Sequence, residues 1–194
     1  MTDKDIIFST ELHSVADYIN MNSKLDRAIK EGALKFGKSI RIAILASFTV
    51  SGIKEVLAVK CCRAGLMSII YEGNYKQYTQ EILDKNSNLY KFKPEFVIII
   101  IDTMTFLGDH YLTPYKINGD ERKKFIDSQL ASIISLMDFL KENSSATILI
   151  HNFIKPAYLE AGYNPISVPP FSPSERVKFI LEKINENRNK KRGA

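Results

Sequence analysis

Ser47, Asp102, His110, His151 and Asn152 carry the side chains from which a nucleophilic or anion-binding site could be built. Ser47 interrupts the stretch ILASFTVSG, Ile44 to Gly52, where an apolar run passes within a few positions into helix-start residues. A serine in that place can attack an acyl group only if a base lies within hydrogen-bond reach. The chain has three histidines, and of these His110 follows the third apolar run and His151 ends the fourth, while His13 lies far upstream. Asp102 closes the most apolar run, FVIIIID, where a carboxylate must either find its own polar partners or act on a ligand. Asn152 can donate its side-chain amide to an oxyanion or cap a loop. Backbone N–H groups around Val50 to Ile53 stand at a helix start, where free donors and the dipole favour an anion. Each of these residues also has a plainer use: serine and threonine turn the chain after a strand, and a histidine more often packs than catalyses.

The elements that must position these groups are readable from hydrophobic period. Four short apolar runs, SIRIAILA (39–46), LMSIIYE (66–72), FVIIIID (96–102) and ATILIHN (146–152), predict strands. The continuous rather than alternating apolarity of FVIIIID predicts that both faces of this strand are covered, as in a parallel sheet with helices above and below. Between them lie helical patterns. Residues 14 to 36 predict a helix, with Ser23 as a cap before Leu25, Ala28, Ile29 and Ala33, and Gly37 as a stop. Ser51 caps a second, which carries Cys61 and Cys62 as core or boundary residues and ends near Gly65. The segment from Gly119 to Asn143 carries Phe125, Ile126, Leu130, Ile133, Ile134, Met137 and Leu140 on one stripe. A last helix opens with Ser172 as cap, Pro173 at the first helical position and Glu175 completing a capping box.

The expected fold is therefore a doubly wound α/β domain with a mainly parallel sheet of strand order 2-1-3-4, flavodoxin-like, and helices on both faces. Ligands in such sheets bind beyond the carboxyl ends of the strands. That edge selects Ser47 and Thr49 after the first strand, Gly73 and Asn74 after the second, Asp102 and Thr103 after the third, and His151 and Asn152 after the fourth. With strands one and three neighbours at about 4.8 Å, Ser47 and Asp102 are expected to flank one crevice. The expected organisation is an N-terminal helical segment over 1–38, the α/β domain over 39–187 and a basic tail over 188–194. The chain turns polar where a fifth strand would come, so it is expected to be a small domain or one piece of a longer protein.

Composition excludes several classes. With 194 residues, 45% of them hydrophobic, the chain can bury a core without disulfides or metal. Its two cysteines are adjacent and form neither a redox pair nor half of a zinc site, which points to a reducing cytoplasm. No run approaches the roughly 20 apolar residues of a membrane span, and the start lacks a signal peptide's regions. The net charge of +5 is local, since Arg188, Lys190, Lys191 and Arg192 supply four charges in an acid-free tail. A nucleic-acid partner is not expected. No Gly-x-Gly-x-x-Gly and no phosphate loop is present, which weakens a third reading as a small phosphate or nucleotide binder.

From Arg41 to Asp102 the sequence resembles the N-terminal region of FkbH-like proteins. The resemblance rests on AILASFTVSGIKEVL, with its strand ending in Ser-x-Thr, and on YEGNYKQYTQEILDKNSNLYKFKPEFVIIIID, with Tyr-x-x-Tyr, Ser-x-Leu-Tyr and Lys-Pro before an apolar strand ending in Asp. ILIHNFIKP and the capped helix fit the pattern more loosely. Such proteins act in polyketide and related biosynthesis. A haloacid-dehalogenase-like domain takes a glyceryl unit from a phosphorylated donor and loads it on an acyl carrier protein, beside an N-terminal region like an SGNH hydrolase. The resemblance implies that Ser47 occupies the nucleophile position, with Gly73 and Asn152 as candidate oxyanion contributors and Asn74 a weaker neighbour. This chain has Ala46-Ser47-Phe48 where SGNH hydrolases have Gly-Asp-Ser, and it lacks their Asp-x-x-His. It also lacks the Asp-x-Asp-x-Thr of the dehalogenase domain, so that phosphatase chemistry does not reside in these residues.

Two functions follow as expectations. In the first, the domain binds substrate or an acidic acyl carrier protein beside a dehalogenase-like domain absent from this chain. In the second, it is a serine esterase or acyltransferase using Ser47, with Asp102 at the same edge and His110 or His151 as base. No metal or cofactor is expected in either.

Overall fold

The computed structural model describes residues 3–111 and 118–151. The strand end at Asn152, the helix opened by Ser172, Pro173 and Glu175, and the basic tail all lie outside the described residues. A short helix α1 (Asp3–Ser9) and a longer α2 (Val15–Lys30) precede the first strand. Then come β1 (Ser39–Ala46), α3 (Ile53–Arg63), β2 (Met67–Glu72), α4 (Tyr78–Leu83), α5 (Asn88–Phe92) and β3 (Phe96–Ile100). Beyond β3 follow α6 (Thr103–Leu107), a 3₁₀ turn (Gly108–Tyr111), α7 (Gly119–Asn143) and β4 (Thr147–Ile150).

The strands form one parallel sheet in the order β2-β1-β3-β4, with helices packed alongside. β1 pairs in register with β2 from Ser39 opposite Met67 to Ile44 opposite Glu72. Having neighbours on both sides, β1 is buried from Ile42 to Ala46. β3, the most apolar run, has no exposed position, as a strand covered on both faces should, whereas β2 and β4 keep exposed positions at Ile69 and Leu149.

Two helix starts differ from the sequence reading. α2 is capped by Ser14 and not by Ser23. Ser14 Oγ accepts the Asp17 N–H at 3.2 Å, and the Asp17 carboxylate accepts the Ser14 N–H at 2.9 Å. This reciprocal box satisfies two first-turn donors at once, whereas Ser23 sits within the helix and bonds back to the Ile19 carbonyl. α3 begins at Ile53 after Gly52, whose φ of +89° turns the chain into the helix without any side-chain cap. A β-carbon at Gly52 would also collide with Val15 Cγ1, so torsion and close approach both require glycine. α7 covers the predicted stripe, with Ile126, Leu130, Ile133 and Leu140 buried. Its start is fixed by Asn118 and Glu121, each accepting the other's backbone N–H.

The chain divides into two compact units. The first runs through Ile99 and includes Ser144–Leu149; among the described residues, the second comprises the stretch from Ile100 to Asn143 with Ile150 and His151. In the first unit the N-terminal helices are part of the core. Ile7 of α1, Met21, Leu25 and Ala28 of α2, and Val59 and Cys62 of α3 form one buried cluster. Arg63 fastens α1 to it, Nε donating to the Ile7 carbonyl at 2.9 Å and the terminal nitrogen to Thr10 at 2.6 Å. No helix among the described residues is long and apolar enough to cross a membrane.

Candidate functional site

Ser47, Thr49, Gly73 and Asn74 lie in the first unit, just past β1 and β2, while Asp102, His110 and His151 lie in the second. β1 ends at Ala46, and Ser47 follows it with 0% exposure. Phe48 and Thr49 then turn outward, and Val50 accepts the Ile53 N–H at 3.0 Å to open α3. Ser47 is thus packed at the strand's end while Thr49 is exposed.

Past β2 the chain stays close to β1. The Gly73 N–H donates to the Ile44 carbonyl at 2.8 Å, extending the ladder by one residue. A β-carbon on Gly73 would lie 2.6 Å from Leu45 Cδ2 and 3.8 Å from Glu81 Oε1. Packing against β1 therefore accounts for a glycine here, whatever its peptide does toward a ligand. Asn74 is exposed, and its carbonyl accepts the Gln77 N–H at 3.1 Å.

Glu81, on α4, is the carboxylate that sequence reasoning missed. It is 7% exposed and receives the Tyr71 hydroxyl on both oxygens, at 2.7 and 2.8 Å. Burial, together with that acceptor and its negative charge, pushes the Tyr71 hydroxyl well above the ordinary tyrosine range. The Tyr71 ring packs on Phe92 with centroids 5.5 Å apart. No sequence signal marks Glu81, because a six-residue helix is too short to show which face is buried.

Asp102 has a definite structural occupation. It is the N-cap of α6, one oxygen accepting the Thr105 N–H at 2.8 Å and the other the Thr105 hydroxyl at 2.5 Å. Thr103 beside it is buried. In the same unit, His110 lies in the 3₁₀ turn with its ring edge-on to Phe125 of α7, centroids 4.6 Å apart. His151 is half-buried one residue past β4, and Asn152 lies outside the described residues. Burial raises the Cys61 and Cys62 thiols, the reverse of an activated nucleophile. Among the described residues no group of three or more His, Cys, Asp or Glu could hold a metal.

The strand order defines a parallel α/β domain. The family model of the FkbH N-terminal domain matches residues 41–156, and the chain belongs to that family. Among solved structures it is similar to the N-terminal part of the protein BF1531 from Bacteroides fragilis, described as containing a phosphatase domain and complexed with Mg. The TM-score is 0.58 at 20% identity, over 86% of this chain and 40% of that one. The chain thus spans less than half of that structure, and the likeness is one of fold. No curated protein matches it.

Proposed function

We propose that this FkbH N-terminal domain is a binding module of polyketide-type biosynthesis. It holds an acyl or glyceryl substrate or an acyl carrier protein for a dehalogenase-like phosphatase domain, in the reducing cytoplasm. The observation that carries this reading over hydrolysis is the burial of Ser47. A nucleophile must meet its acyl group with a base at hand, and a hydroxyl with 0% exposure is packed rather than presented. Family membership supports the biosynthetic setting, and the phosphatase domain described for BF1531 supports a catalytic neighbour.

The test is direct. Incubated with a fluorophosphonate probe or a short-chain aryl ester, the protein is expected to show neither labelling nor turnover, and calorimetric titration with an acyl carrier protein is expected to give saturable binding. Labelling that disappears in Ser47→Ala would instead establish the serine hydrolase or acyltransferase.

A further inference from the structure

The strand order leaves β2 with β1 on one side and, among the described residues, no strand on the other. Its inward bonds fall on odd-numbered residues: the Met67 N–H donates to the Lys38 carbonyl at 3.0 Å, and just past the strand the Gly73 N–H donates to the Ile44 carbonyl at 2.8 Å. Successive residues of a strand present their backbone groups to opposite sides. The N–H and carbonyl groups of Ser68, Ile70 and Glu72 therefore point away from β1, and among the described residues no backbone group meets them.

An edge of this kind is ordinarily blunted by lysine, proline or a bulge. β2, MSIIYE, contains neither lysine nor proline and pairs with β1 without a bulge. No residue of it is fully buried, whereas β1 is buried from Ile42 to Ala46. Its side chains sort onto two faces. On the α3 side the Ser68 side chain hydrogen-bonds Cys61, and the Glu72 carboxylate stands 3.9 Å from the Lys54 ammonium. On the other side Tyr71 meets Phe92 and Glu81, while Ile69 is 42% exposed.

This open edge is complementary to itself. Two antiparallel copies related by a twofold axis through Ile70 bring outward-facing backbone groups against outward-facing ones. Ile70 then faces Ile70 of the second copy, Ser68 faces its Glu72, and Ile69 faces its Tyr71. An aliphatic pair, a hydroxyl opposite a carboxylate and a β-branched residue opposite an aromatic are cross-strand pairings that stabilise a sheet. Moving the axis to Ile69 or Tyr71 instead sets the Glu72 carboxylate opposite Leu66 or Ile70 and pairs fewer of the outward groups. We infer that β2 is the interface of a twofold dimer of this chain, the two strands pairing antiparallel with Ile70 at the centre.

Sedimentation of the full chain over a concentration series is expected to show a reversible dimer. Ile69→Lys changes an exposed side chain and sets two ammonium groups on diagonal neighbours about 7–8 Å apart; it is expected to weaken the dimer about tenfold while keeping the parent's circular dichroism. Ile70→Cys places two thiols on directly opposed residues, with α-carbons about 5.5 Å apart and within disulfide reach. Mild oxidation is expected to join them into a covalent dimer. Glu72→Cys sets the thiols out of step along the strands, beyond that reach, and is expected to cross-link no more than the parent with its own Cys61 and Cys62. A parent chain that stays monomeric overturns the inference. So does a dimer that a folded Ile69→Lys leaves intact, and so does cross-linking in Ile70→Cys no greater than in Glu72→Cys. Should Ile69→Lys lose the parent's circular dichroism, the two cysteine variants decide alone.

Discussion

A methyl group added at Gly73 has nowhere to go. Leu45, whose Cδ2 it would meet at 2.6 Å, is itself 0% exposed and cannot swing aside. Gly73→Ala is expected to cost about 1–3 kcal/mol through overpacking, read as a lower urea midpoint with unchanged slope. Asp102 makes a second case at this scale. Asp102→Ala removes the N-cap of α6 and should cost about 1 kcal/mol, with faster amide exchange at Thr105, whereas Asp102→Asn keeps most of the stability. Both positions are legible in the sequence as residues just past a strand, Asp102 closing an apolar run and Gly73 following Glu72. Their employment is not legible: it depends on Leu45, 28 positions before Gly73, and on a five-residue helix that has no period to read.

At the scale of elements, the link between β2 and α4 is the one whose chemistry responds to pH. The unfolded Tyr71 hydroxyl ionises near the ordinary value of about 10, and the folded one ionises later, because burial and Glu81 disfavour the phenolate. Above that pH the native state therefore holds more protons than the unfolded state, and its stability falls as pH rises. Tyr90, raised by burial, acts in the same direction. Unfolding free energies measured from pH 8 to 11 are expected to decline toward the alkaline end, and Tyr71→Phe should flatten part of that decline. The same variant should cost about 1–3 kcal/mol at neutral pH by stripping a buried carboxylate of its donor. The strands and the long helix α7 are legible because many residues repeat one message. The start of α2 is harder to read, since Ser14 and Ser23 both look like caps and only the Asp17 reply to Ser14 decides between them. Glu81 is the extreme case, a polar residue buried by a partner on another element.

At the scale of the whole chain, the N-terminal helices belong to the core of the first unit. Cys62 lies within that cluster at 1% exposure, and the neighbouring Arg63 carries the bonds to α1. Reaction of Cys62 with a thiol reagent therefore requires the cluster to open, and its rate reports that opening. Arg63→Ala should free α1, speed the labelling of Cys62 severalfold and admit protease between Ser9 and Ser14.

The strand order also has a kinetic side. β1 meets β2 across one helix, Ile44 pairing with Glu72, but reaches β3 only through residues as distant as Arg41 and Glu95, 54 positions apart. Closing the shorter loop loses less entropy, so the early β1–α3–β2 crossover can assemble while the later strands are still leaving the ribosome. Until β3 arrives, the flank of β1 that it will occupy stays open, and a chaperone or a slow stretch of translation would act at that moment.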